Sequence, residues 1–217
     1  MGTSAYCLAE LGAKEVFGVD IIDTIEVAYK NTCDSGNITV ARADIQKLPF
    51  KTGFFDSVVC VAVLHHLADR EKTFNELLSH VKPGGSLVLW VYGKEGNAFV
   101  RYFVEPFRKY ISTKMSIKLV LASSYIMGMI FQFIALFVYR PLNKIGINVL
   151  PLNDYISYRS NFNISINVHM IFDQLIAPVS YFYSRKELER LFSGNEISNF
   201  NIFPVNNNSW TIVGTKK

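Results

Sequence analysis

Two aspartates, a valine-rich run and a histidine pair are the residues whose types and spacing bear on chemistry. Asp20 closes EVFGVD, which reads as a short buried strand. Ligands of open α/β sheets bind outside the carboxyl ends of strands, and a carboxylate there accepts both hydrogen bonds of a ribose diol. The competing reading is an acid that caps the next helix. Asp44, in ARADIQKLPF, also follows a strand-like segment. Its carboxylate suits the exocyclic amine of a purine, and Ile45 suits the ring face; a plain turn acid is the alternative. FFDSVVCVAVLHHL puts Val61 to His66 at the end of the next strand, where backbone lines the same crevice. The pair His65–His66 raises a metal or a base. Adjacent histidines are expected to point to different sides, and no acid or cysteine completes a ligand set, so no metal site is expected. One of the two is expected to cap the helix that follows. His66, His169, Asp173 and Tyr181 are the candidates for a catalytic base. No motif fixes the role of any of the four, and each also reads as a structural residue.

The elements that must position these groups alternate along the first 92 residues. Residues ~3–12 read as a helix with Tyr6, Leu8, Ala9 and Leu11 near one side and Gly12 at its end. EVFGVD reads as a strand of the buried, parallel type, and residues ~23–33 as a helix capped by Asp23 or Thr24. ITVARAD is a strand, and SVVCVAVL is apolar enough for the middle of a sheet. Residues ~68–81 form a helix with Phe74, Leu77, Leu78 and Val81 at helical spacing. KPGG is a turn and SLVLWVY a strand. Strands alternating with helices predict a parallel α/β sheet covered on both faces. Further on, Ser184 with Glu187 forms a capping box. ISNFNIFPV, NNN and SWTIVGTK form a β-hairpin, with Pro204 at a strand end.

Length and composition agree with one globular domain. The chain has 217 residues, half of them hydrophobic and 18% charged, which excludes disorder. Three cysteines without paired spacing suggest neither disulfides nor a metal motif, and a cytoplasmic compartment is the default. The first residues do not read as a secretory leader. Charge is uneven: residues 1–92 carry 8 basic and 11 acidic groups, net −3, and residues 93–217 carry 14 and 7, net +7. The stretch 94–144 has 8 basic residues against Glu95 and Glu105. That pattern suits a membrane surface, an anionic acceptor or a solvated face.

GAKEVFGVDI, ARADIQKLPFKTGFFDSVVCVAVLHHL and LLSHVKPGGSLVLWVY, in this order and at these separations, resemble the successive motifs of class I S-adenosylmethionine-dependent methyltransferases. The nearest branch is that of small-molecule and quinone-type enzymes, a methyltransferase type 11-like domain. MIFDQLIAPVSYFYSRKELERLF and the ending NNNSW resemble members with a long insertion before the last helix. The resemblance implies S-adenosylmethionine as the cofactor. Gly2 would be the last glycine of the glycine-rich turn, Asp20 would hold the ribose hydroxyls and Ile21 would pack on the adenine. Asp44 and Ile45 would bracket the adenine from the other side, and Val61 would touch the cofactor through its backbone. It also implies a Rossmann-like doubly wound sheet with an antiparallel C-terminal hairpin. Residues 1–92 are then the cofactor part, 93–180 a helical insertion or acceptor lid, and 181–217 the last helix and hairpin.

The family pattern begins with a strand and a G-x-G-x-G turn, of which only Met1 and Gly2 have a place here. The first strand is missing, and the two strands beside it would lose their shared neighbour. The expectation is a chain truncated at its N-terminus, with Met1 an internal methionine of the loop and cofactor binding weak or lost. From Leu119 to Tyr139 the chain has 21 residues without a charge, bracketed by Lys118 and Arg140. By length this can span a bilayer, but Ser123, Ser124, Gly128 and Gln132 dilute it. A helical lid over the active site is the favoured reading; a helix lying on the membrane is a third. Function is therefore expected to be methyl transfer to a small, hydrophobic or lipid-like acceptor, with no nucleic-acid partner. The alternatives are a non-catalytic relic or membrane-associated module of the same fold, and, more remotely, a NAD-type oxidoreductase.

Overall fold

The computed structural model describes residues 2–177, 180–194 and 196–217; the expectation for Met1 lies outside them. Two pieces of sheet form the scaffold. In the first, β1 (Val16–Asp20) pairs in parallel with β2 (Ile38–Arg42). In the second, β3 (Phe55–Val61), β4 (Val81–Tyr92), β6 (Ser209–Lys216) and β5 (Ile197–Val205) lie in the order β3-β4-β6-β5. β3–β4 is parallel, and the hairpin strands are antiparallel. Asn206 and Asn207 turn the hairpin with positive φ (49° and 51°), as such tight turns demand. The α/β class with an antiparallel end is thus the observed architecture. The apolar run of β3 does not sit mid-sheet, however. Among the described residues β3 pairs with β4 alone, β1 pairs with β2 alone, and no ladder joins β1 to β3.

Side chains bridge what the backbone does not. Phe17 of β1 meets Phe50, Phe54 and Phe55 with ring centroids 5.7–5.9 Å apart. Ile45 and Leu48 from the segment after β2 pack on the core of the second sheet. That core is built by α3 (Arg70–His80) and α9 (Arg185–Ser193) against Leu87, Leu89, Val91 and Ile212. Alternation along β4 puts these on one face, as a period of two requires. Val88, Trp90 and Tyr92 on the other face are half-buried, with the His65 and Phe182 rings against them, so that face is covered in part.

Local chemistry fixes the helix ends, with some corrections. α1 (Thr3–Glu10) buries Ala5, with Leu8 and Ala9 of the predicted side half-buried beside it, whereas Tyr6 and Leu11 are exposed, Leu11 to 83%. Thr24 stands at the start of α2 (Ile25–Thr32) without a side-chain cap, and Asp23 pairs with Arg42 instead. Asp69, not a histidine, caps α3 by accepting from the Lys72 amide. The KPGG residues fall inside β4, at a jump in register from Phe55↔Val81 to Ser57↔Ser86. Ser184 and Glu187 form the expected capping box of α9.

Between β4 and α9 the chain builds a helical layer: α4 (Glu105–Tyr110), α5 (Ile117–Ile134), α6 (Arg140–Lys144), α7 (Asn153–Arg159) and α8 (Ile164–Ile176). A π-helical turn, Ala135–Tyr139, joins α5 to α6, so helix runs from Ile117 to Lys144. α5 lies on α8 through Val120, Ile171 and Leu175. Gly128 permits close approach there: a Cβ on it would sit 2.5 Å from Val168 Cγ2. The layer has a polar centre. Arg159, 2% exposed, donates through Nε to Asn167 Oδ1 (2.9 Å) and stands 4.4 Å over the Phe131 ring. Asn167 in turn donates to Gln132 Oε1 at 2.7 Å.

Candidate active site

The carboxyl ends of β1 and β2 meet through backbone and guanidinium bonds. The Ala43 amide donates to the Asp20 carbonyl at 3.0 Å, and Arg42 Nε donates to the Ile21 carbonyl at 2.9 Å. Asp20 Oδ1 accepts from the Ile22 amide at 3.3 Å, which leaves Oδ2 without a partner among the described residues. Asp20 therefore does not cap α2. Asp44 Oδ1 accepts from the Gln46 amide at 2.9 Å, an Asx turn that also leaves one oxygen open. Both acids are exposed, and Ile21 is 54% exposed. Ile45 is half-buried against the core. An open carboxylate beside an exposed isoleucine fits a ribose and the ring next to it. Gly2 starts α1 with φ +82°; a Cβ there would lie 3.0 Å from Thr32 Cγ2 and 3.3 Å from the Ala28 carbonyl. Its conformation and crowding admit glycine only, and its place is against α2.

β3 ends on Val61, 44% exposed. The next residue, Ala62, has φ +62°, a conformation that a non-glycine residue takes at a cost of about 1–2 kcal/mol. Its amide still reaches the Trp90 carbonyl at 3.2 Å. The chain thus turns sharply out of the sheet into the short turn Leu64–His66. No glycine marks this turn in the sequence, and strain of this kind concentrates at functional sites.

The two histidines do not diverge as expected; their ring centroids are 4.2 Å apart. His65 is fully buried with both ring nitrogens unpartnered, 3.9 Å from the Tyr92 ring. Burial, helped by His66, holds its pKa down to about 3. It is a neutral core residue. His66 Nδ1 lies 3.4 Å from Ser180 Oγ, which accepts from Arg108 Nη1 at 2.6 Å. Arg108, 4% exposed, is paired through Nη2 with Glu105 Oε2 at 2.5 Å. Burial raises the Glu105 pKa against the pull of Arg108. The Tyr92 ring is 5.7 Å from that of His66. Burial first, then the nearby Tyr155 and Asp173, pushes its hydroxyl up to about 12. These groups form a polar ring where β4 ends under the helical layer.

The other two candidates are placed differently. Asp173 and His169 share α8, one turn apart; burial raises the Asp173 pKa and His169 opposes this. His169 is exposed, with Nδ1 2.7 Å from the Ser165 carbonyl. Tyr181 donates its hydroxyl to Glu187 Oε1 at 2.8 Å and lies under Arg70, 3.9 Å from its ring centroid. That bond, with burial behind it, raises its pKa. Glu187 would be raised by burial, but Lys94, Ser184 and Tyr181 hold it at about 2. So Tyr181 belongs to the network that ties α9 to β4. The sequence reading missed Tyr92, Ala62 and the Arg108–Ser180 pair. Only the strand end at Tyr92 carried a signal that could have found it. Among the described residues no three His, Cys, Asp or Glu side chains cluster as metal ligands. Two surface hollows lie elsewhere, one at Arg140, Asn143 and Ser157 and one at Tyr29, Val40 and Arg42; neither contains Asp20, Asp44 or Val61.

Acids stand at or just past the carboxyl ends of the parallel pair β1 and β2, and an antiparallel hairpin closes the second sheet of this α/β fold. Residues 1–89 match the family model described as a methyltransferase domain, and the cofactor that this likeness implies is S-adenosylmethionine. The chain is 35% identical over 87 residues to the ubiquinone/menaquinone biosynthesis C-methyltransferase UbiE of Ectopseudomonas mendocina, covering 38% of this chain and 34% of that protein. It is 38% identical over 66 residues to a tRNA (carboxymethyluridine(34)-5-O)-methyltransferase of Arabidopsis thaliana, covering 29% of this chain and 16% of that protein. The chain thus spans about a third or less of these relatives' length. A solved S-adenosylmethionine-dependent methyltransferase of Aquifex aeolicus shares the fold, with a TM-score of 0.52 at 13% identity over 99% of this chain and 76% of that one.

Proposed function

We propose that this chain transfers a methyl group from S-adenosylmethionine to a small hydrophobic acceptor. One observation carries the reading: two open carboxylates stand at or just past the ends of β1 and β2, while a polar ring under an apolar helical layer ends β4. The cofactor supplies, when bound, a methyl group already activated on a sulfonium. The protein's part is then to hold, orient and keep dry. Asp20 would accept from the ribose hydroxyls, and Asp44 from the purine amine. Ile21 and Ile45 would offer apolar surface to the ring, and the strained turn at Ala62 would present the Val61 backbone. The acceptor would enter beneath α4, α7 and α8. If the accepting atom must lose a proton, His66 would take it. Ser180, held by Arg108 and Glu105, would orient its ring.

The domain match favours methyl transfer over hydride transfer. Of the relatives named above, one is a quinone-type C-methyltransferase and one a tRNA methyltransferase. The apolar character of the helical layer favours the first kind of acceptor. The test is incubation of the chain with methyl-labelled S-adenosylmethionine and separate membrane-lipid, small-molecule and RNA extracts. Label entering the organic-soluble fraction, and lost with Asp20→Ala, is expected. Label entering RNA alone, or no label anywhere, refutes the reading.

A further inference from the structure

The helix from Ile117 to Lys144 is long and apolar enough to cross a membrane by length and composition. Only one side of it is covered. Val120, Ser124, Gly128, Ala135 and Tyr139 are buried toward the rest of the protein. On the other side Leu119, Ile126, Ile130, Phe133 and Phe137 are 54–66% exposed, in line along the helix. At 1.5 Å per residue the 28-residue helix is about 40 Å long. A bare apolar face of that length on a water-facing surface marks an interaction site.

Charge says what covers it. Lys114 and Lys118 stand at one end, Arg140 and Lys144 at the other, and all four are exposed. None is in an ion pair among the described residues. No acidic residue occurs between Glu105 and Asp154. A second copy packed on this face would bring lysine onto lysine if parallel, and lysine onto arginine if antiparallel. An anionic lipid surface instead complements both ends at once. Each basic residue near such a surface contributes about 1 kcal/mol.

The covered side decides how the helix sits. It holds the Arg159–Asn167–Gln132 network, with Asn167 fully buried. A crossing helix would carry that network to membrane depth, where charge is costly. Its partner α8 has 13 residues, about 20 Å, too short for a hydrocarbon core of about 30 Å. We propose that the Ile117–Lys144 helix lies in the plane of an anionic membrane surface, apolar side down, and docks the protein there as a peripheral protein. The inference goes beyond methyl transfer and does not rest on it, since docking needs neither cofactor nor acceptor.

Vesicle flotation tests it with three lipid states: phosphatidylcholine alone, equal parts phosphatidylglycerol and phosphatidylcholine, and no lipid. The chain should float with the anionic vesicles, and 1 M salt should weaken this. Phe133→Ser with Phe137→Ser should reduce binding at least tenfold, as should Lys114→Glu with Lys118→Glu. Both pairs are exposed, and circular dichroism should show an unchanged fold. Alkaline carbonate should release the bound protein. Three outcomes overturn the proposal: no binding to anionic vesicles, binding that the substitutions leave unchanged, or retention through carbonate as a spanning helix. A lipid-free dimer that Phe133→Ser disperses, without vesicle binding, also overturns it and assigns the face to a second copy.

Discussion

The contact of Gly128 with Val168 sets how tightly α5 seats on α8, and its cost can be worked out. A Cβ at position 128 would lie 2.5 Å from Val168 Cγ2 but 3.5 Å from Val168 Cα and Cβ. Only the γ-methyl clashes; the rest is ordinary contact. Gly128→Ala should gain about 0.8–1 kcal/mol of helix propensity and lose about 1–3 kcal/mol to overpacking, a net loss of about 1 kcal/mol. Val168→Ala removes two buried carbons at a site 1% exposed, which costs about 2 kcal/mol with the cavity. In the double variant the clash is gone and the propensity gain remains. The double should therefore lose about 1 kcal/mol rather than the additive 3, a coupling of about 2 kcal/mol. Urea denaturation of the four proteins reads this directly. A chain of this size shifts its Tm by about 2–4 °C per kcal/mol, so melting should rank them in the same order. Additivity within about 0.5 kcal/mol would refute the close contact of α5 with α8.

Two further expectations concern the turn after β3. Ala62→Gly should stabilise the fold by about 0.5–1 kcal/mol, because glycine tolerates the positive φ that alanine pays for; a loss of stability in urea titration would contradict the assigned backbone. His65 is held near pKa 3 in the fold and is ordinary when unfolded. The unfolded chain thus binds an extra proton between pH 6.5 and about 3. Stability should be indifferent to this group above pH 6.5 and fall by about 1.4 kcal/mol per pH unit as acid is added below it. His65→Leu should flatten that limb of the pH–stability curve, and an unchanged slope would show that the ring is not buried as described.

What the sequence could reveal follows from which signals are local. The positions of Asp20, at the end of β1, and of Asp44, two residues past β2, were legible because the composition of each strand is plain. The hairpin turn and the Ser184–Glu187 box are signals within a few residues. The buried side of α1 was legible only in part: Ala5 is small and carries little hydrophobic signal beside Leu11 and Tyr6, which face water. The run of β3 reads as mid-sheet, yet the sequence also predicts that it lacks a neighbour on one side, and no ladder joins β1 to β3 among the described residues. An apolar run reports burial, whereas edge or centre depends on a neighbour elsewhere in the chain. Arg108 and Ser180 are 72 residues apart and meet only through the helical layer. In the Leu119–Tyr139 stretch apolar residues occur on every side of the helix, so periodicity could not separate the side that packs from the side left bare.

The central claim is that Asp20 and its neighbours hold S-adenosylmethionine at the ends of β1 to β3. Calorimetric titration with S-adenosylmethionine tests it on this chain with and without Asp20→Ala. The account predicts saturable binding that Asp20→Ala weakens at least tenfold. No binding, or binding indifferent to Asp20→Ala, would contradict it.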